Sequence, residues 1–203
     1  MTPAKTPVVS ALGDSITAGT PLWDPDPAVQ EMIGSRLDPQ SQWIYWAERA
    51  HPEIEFRNFG VNREETGQIG ARLDEAAEGA DVVVVQGGIN DIVHGKSIER
   101  GAENLRAIVS RGRALGKRVL LTNVLPCNGF PEAEESIRAF NRLIEQISRD
   151  ERVTLLPFYD TLEDLDRPGR IGPAWTDDGN HPSIAGHRLL GELAFSLPSD
   201  PGE

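Results

Sequence analysis

The chain has one cysteine, Cys127, among its 203 residues. A single thiol excludes an internal disulfide framework, and a free cysteine reads as a small core or pocket-wall residue. Positive charge is also short. Lys and Arg number 20 against 32 Asp and Glu, a formal net charge of -12. That balance argues against nucleic acid or an anionic membrane surface as a main partner. No apolar run approaches the length of a membrane span. The N-terminus carries only Lys5 before a short strand-like run, which is unlike a signal peptide, so a cytoplasmic protein is expected. The four histidines lack ligand spacing with carboxylates, so no metal site is expected. There is no internal repeat and no sign of a second domain. One domain over 1–203 is expected, with loose ends at 1–6 and 198–203.

What is present is a regular alternation of strands and helices. Val8-Val9-Ser10-Ala11-Leu12 reads as a buried first strand, residues 7–12, broken at Gly13 by a turn that carries Asp14 and Ser15. Residues 16–38, with Pro21, Pro25 and Pro27, read as loop-like. A short helix is expected from Ser41, as its cap, to Ala50. Ile54 to Phe59 alternates apolar and polar, the pattern of a strand. Thr66 starts a helix with Ile69, Leu73, Ala76 and Ala77 on one face. Val82-Val83-Val84-Val85 is the all-apolar run of a strand buried on both faces. A third helix spans Ile98 to Leu115, a fourth strand Arg118 to Val124, a fourth helix Glu132 to Arg149 and a fifth strand Val153 to Phe158. A loop of about twenty residues, Tyr159 to Asn180, then precedes a last helix expected to start at Pro182 and run to about Leu197.

This alternation predicts an α/β protein with a parallel sheet between two helical layers. The five-strand order 2-1-3-4-5 is the commonest for this count. In that order the second and third strands flank the first, so Gly60 and Asn90, at their C-terminal ends, should lie on either side of Ser15.

Ser15 sits at the C-terminal end of a parallel strand, where open α/β sheets place their active sites. Acyl transfer to a serine needs a nucleophile, a base in reach, a group that orients the base, and donors for the oxyanion. Ser15 is the candidate nucleophile and His181 the candidate base. Asp178, three residues earlier on a glycine-containing turn, can fold back on the imidazole and fix its tautomer; Asp177 competes for that role. The N–H of Ser15, the N–H of Gly60 and the amide of Asn90 are the candidate oxyanion donors. Trp23, His94 and Phe130 are candidate substrate contacts. Asp14 and Asp91 read as structural turn formers, and His187 as a surface or hydrogen-bonded core histidine.

Gly13-Asp14-Ser15, Gly60, Gly88-Ile89-Asn90-Asp91 and Asp178-Gly179-Asn180-His181-Pro182 resemble, in order, the four signature blocks of the GDSL, or SGNH, hydrolases. The resemblance implies a three-layer, flavodoxin-like α/β/α fold. It implies Ser15 as nucleophile, His181 as base, Asp178 as its orienter, and Ser15, Gly60 and Asn90 as the oxyanion hole, with no metal or organic cofactor. The expected function is a serine esterase acting on short acyl (acetyl) esters of small alcohols or sugars. Lysophospholipase, thioesterase and acyltransferase activities share the same site chemistry. Two readings come from other classes. Ser15-Ile16-Thr17-Ala18-Gly19-Thr20 is close to the phosphate loop of flavodoxins, although Ala18 stands where that pattern has glycine; a non-catalytic ester or glycan binder is the other.

Overall fold

The computed structural model describes residues 6–197; the tails expected at 1–6 and 198–203 lie, Thr6 apart, outside the described residues. Five strands, β1 (Val8–Gly13), β2 (Glu55–Gly60), β3 (Val82–Val85), β4 (Arg118–Thr122) and β5 (Thr154–Leu156), form one sheet in the order β2-β1-β3-β4-β5. Every pairing is parallel. The expected fold class and strand order are those observed.

The helices are α1 (Ser15–Ala18), α2 (Pro27–Ile33), α3 (Trp43–Ala50), α4 (Thr66–Ala71), α5 (Leu73–Ala77), α6 (Ile89–Val93), α7 (Ile98–Ala114), α8 (Glu134–Glu151), α9 (Phe158–Leu162) and α10 (Ile184–Leu189). They cover both faces of the sheet because the central strands are apolar on both. Val83, Val85, Val119 and Leu121 point into a core shared with Ile69, Leu73, Leu105, Ile108, Phe140 and Ile144. Their alternate neighbours Val82, Val84 and Leu120 point into a second core with Trp43, Ile44, Phe158, Leu162 and Leu190. The side-chain period of two along a strand thus sorts one Val run into two helical layers.

Local chemistry departs from the sequence expectation at several places. The prolines of 16–38 start helices as well as breaking them. Asp26 caps α2 through Ala28 N–H with Pro27 in its first turn, and Asp38 caps a 3-10 turn at Pro39–Ser41. Ser41 does not cap α3. Its hydroxyl donates to Gly19 O at 2.6 Å, and Gln42 occupies the cap position. The helix expected from Thr66 breaks at Arg72, which separates α4 from α5. The long loop contains α9 and a bridge between Glu163 and Ile171. The last helix is capped by Ser183, not begun by Pro182, and gives way to a π-turn at Leu190–Ala194.

Candidate active site

β1 ends at Gly13, and Asp14 turns the chain into α1 by accepting from Ile16 N–H at 3.0 Å. That cap places Ser15 in the first helical position. Gly19, at φ 103, closes α1 after one turn. Asn58 fixes the far end by donating its amide to Thr17 O and Ala18 O, at 2.9 and 3.2 Å. Asp14 is completely buried, and its Oδ2 has no hydrogen-bond partner among the described residues. Burial raises its pKa to about 6, against the lowering effect of the Ile16 N–H.

A line of hydrogen bonds runs from Ser15 to Asp178. Ser15 Oγ lies 3.1 Å from His181 Nε2, and His181 Nδ1 lies 2.8 Å from Asp178 Oδ2. The other carboxylate oxygen, Oδ1, accepts the N–H groups of Asn180 and His181, each at 2.7 Å. Burial pushes the Asp178 carboxyl up, but the His181 N–H, the His181 ring and the Asn180 N–H outweigh it and hold it below the usual range. An ionised Asp178 beside Nδ1 keeps the proton there and leaves Nε2 to face the serine. These contacts belong to Asp178, and none of them involves the neighbouring Asp177.

The turn that carries Asp178 is itself held from below. Gly179, at φ 79, presents its carbonyl to the N–H groups of Asn128 and Gly129 in the loop after β4. Asn128 also exchanges a pair of hydrogen bonds with the backbone of Ile171, and the Thr176 hydroxyl donates to His181 O at 2.7 Å.

Ser15 and His181 border a cavity of about 310 Å³. Asn62, Arg63, Asn90, His94 and Asn180 supply its polar wall; Ile16, Ile89, Val93, Cys127 and Phe130 supply apolar surface. Asn90 donates one amide hydrogen to Glu64 O at 2.9 Å, which leaves its second N–H available. Asp91, the next residue, is buried and accepts from the N–H and hydroxyl of Thr66, tying α6 to the start of α4. His94 Nδ1 lies 2.9 Å from Glu65 Oε1.

Of the expected substrate contacts, His94 and Phe130 line the cavity and Trp23 does not. Trp23 packs against Gly19, where an added Cβ would stand 2.9 Å from its own Cβ. Gly60 also requires correction. It pairs with Gly13 in the sheet, its N–H donates to Asn58 Oδ1 at 2.8 Å, and it is absent from the cavity wall. A Cβ there would stand 2.1 Å from Ala18 N, so this glycine lets α1 lie against β2.

The residues from the β2 exit that do reach the cavity are Asn62 and Arg63. Arg63 has φ 69, a left-handed backbone that costs a side-chain-bearing residue about 1–2 kcal/mol. Neither its N–H nor that of Ser15 takes part in a hydrogen bond among the described residues. Nothing in the sequence marks Arg63 except that it is a basic residue in an acidic chain. His187, expected at the surface or hydrogen-bonded in the core, lies fully buried in the core, with no partner for either ring nitrogen among the described residues.

A serine, a histidine and a carboxylate aligned at the C-terminal edge of a parallel sheet define a site of the serine-hydrolase type. The comparisons with known proteins give the family. The pattern of the GDSL-like lipase/acylhydrolase family matches residues 11–189, and the chain belongs to that family. It is similar to Esterase TesA of Pseudomonas aeruginosa, 32% identical over 117 residues, which are 57% of this chain and 54% of TesA. The match thus spans about half the length of that curated relative. A member of the lipolytic protein G-D-S-L family from Veillonella parvula superposes with a TM-score of 0.72 at 17% identity, covering 91% of this chain and 93% of that one. Axe2, an acetylxylan esterase from Geobacillus stearothermophilus, superposes at 0.70 with 20% identity, covering 96% and 97%. At these identities the structural likeness shows the fold alone. No helix among the described residues is long and apolar enough to cross a membrane.

Proposed function

We propose that the protein is a serine esterase that cleaves small carboxylic esters through an acyl-enzyme on Ser15. The observation that carries this reading is the unbroken line Ser15 Oγ, His181 Nε2, His181 Nδ1, Asp178 Oδ2 at 3.1 and 2.8 Å. As Ser15 Oγ attacks the ester carbonyl, His181 Nε2 takes its proton. Asp178 holds the ring in position and stabilises the imidazolium that forms. The oxyanion meets the N–H of Ser15, the N–H of Arg63 and the free amide N–H of Asn90. Arg63 takes the place first expected for Gly60, whose N–H is already donated to Asn58. His181 then protonates the departing alcohol, and water, activated by the same nitrogen, cleaves the acyl-enzyme. The reaction needs only these groups.

The cavity, about 310 Å³, lies at the small end of ligand sites. That supports short acyl groups, acetyl foremost, on small alcohols or sugars over long-chain lipids. Hydrolysis of 4-nitrophenyl acetate by wild type and by the Ser15→Ala and His181→Ala variants tests the proposal. Each variant should lose on the order of 10⁴-fold in kcat; rates equal to wild type would overturn it.

A further inference from the structure

We infer that the preferred ester carries an oxyanionic group, a carboxylate or phosphate, bound by the guanidinium of Arg63; this rests on the esterase reading above. In a chain of net charge -12, no carboxylate stands among the described residues of the cavity wall. Among those residues the one permanently charged side chain is that of Arg63. The two acids that follow in sequence are both already paired with other cations or a histidine. Glu64 is taken by Arg72 in a two-pronged pair, with Nε at 2.9 Å and Nη2 at 2.5 Å from Oε2. Glu65 faces His94 at 2.9 Å and Lys96 at 3.8 Å. Arg63 itself makes no ion pair or side-chain hydrogen bond among the described residues.

The backbone adds a second argument. Arg63 stands at φ 69, where glycine would hold the turn without strain and asparagine with little. Arg63 is exposed and is one of the residues that line the cavity with Ser15 and His181, and its side chain ends in a planar, always-charged fork of donors. Such a fork matches a carboxylate or phosphate with two parallel hydrogen bonds, which a neutral ester does not offer.

The test compares kcat/KM for charged and neutral esters of matched shape. The pairs are 4-nitrophenyl hydrogen glutarate with 4-nitrophenyl pentanoate, for a carboxylate on the acyl side, and 4-acetoxybenzoate with its methyl ester, for one on the alcohol side. A third substrate, 4-acetoxyphenyl phosphate against 4-acetoxyanisole, separates phosphate from carboxylate. Wild type, Arg63→Lys and Arg63→Asn are assayed; both variants keep the backbone N–H, and asparagine accepts the left-handed turn. For at least one pair, the charged-to-neutral ratio should fall about tenfold or more in Arg63→Asn and recover in part in Arg63→Lys. Turnover of the neutral esters by wild type with ratios unchanged in Arg63→Asn for all three pairs would overturn this inference alone. Failure of wild type to cleave any of the esters would overturn the esterase reading and this inference with it.

Discussion

The N–H of Asn128, in the loop after β4, donates to the carbonyl of Gly179 at 2.7 Å. Through that bond the loop at the end of one strand sets the height of the turn that carries Asp178 and His181. The long return from β5 is therefore anchored to the sheet just before it brings His181 to Ser15. The Asn128 side chain repeats the tie at Ile171, its Oδ1 accepting from the Ile171 N–H at 2.8 Å and its amide donating to the Ile171 carbonyl at 3.0 Å.

Asn128→Ala keeps the backbone bond and loses the side-chain pair. It should destabilise the protein by about 1–3 kcal/mol, the usual worth of two hydrogen bonds and an orphaned backbone group, and lower kcat for 4-nitrophenyl acetate. Thermal denaturation and steady-state kinetics on the same preparation check both; an unchanged kcat would mean that the loop reaches its place without this clamp.

Asn90 donates one amide hydrogen to Glu64 O, and in the proposed mechanism the other meets the oxyanion. Asn90→Ala should lose roughly 10²–10³-fold in kcat with KM little altered, because the bond strengthens as charge develops on the carbonyl oxygen. Wild-type kcat in this variant would remove Asn90 from the mechanism.

Gly60 and Arg63 separate packing from chemistry at the β2 exit. Gly60→Ala drives a methyl group into the backbone at Ala18 and should cost about 1–3 kcal/mol or more. Arg63→Gly relieves a left-handed arginine and should leave stability unchanged or raise it by up to about 1 kcal/mol. Denaturant melts of the two variants make the comparison. Equal stability of Gly60→Ala and wild type would contradict the close approach of α1 to β2.

Two buried groups give the stability curve opposite slopes in acid. Burial lowers the His187 pKa to about 3, so from its ordinary value of about 6.5 down to about 3 the unfolded chain binds the extra proton and stability falls. Burial raises Asp14 to about 6, so from about 6 down to its ordinary value of about 3.9 the folded chain binds the extra proton and stability rises. Each slope is at most about 1.4 kcal/mol per pH unit. The two oppose each other between about pH 6 and 4 and leave a steep loss below. His187→Leu should therefore gain stability relative to its own value at pH 7 as the pH drops toward 4, and Asp14→Asn should lose it faster than wild type. Chemical denaturation at pH 7, 5 and 4 reads both; parallel curves for all three proteins would place the acid response elsewhere.

The sheet was legible because the all-apolar run Val82 to Val85 has the length of a strand buried on both faces, and because Ile69, Leu73, Ala76 and Ala77 recur at helical spacing before it. Ser15, Asp178 and His181 were legible because each sits at a strand exit or a helix entry, where the chain order alone decides what meets. The β2 exit was not. A glycine at the end of a strand serves equally as an oxyanion donor or as a gap for a neighbouring backbone, and only the contact with Ala18 separates the two. Arg63 was missed because its distinction is a dihedral angle. Trp23 was misplaced because the turn at Gly19 takes it away from the cavity, and Ser41 because its hydroxyl finds the Gly19 carbonyl before it can cap α3.

Activation of Ser15 as a nucleophile by His181 is tested most directly by treating the protein with a fluorophosphonate and mapping the adduct by mass spectrometry, beside the His181→Ala variant. A single adduct on Ser15, formed on the order of 10³-fold or more slowly in the variant, is the predicted result. No adduct, or one formed at the same rate without His181, would contradict it.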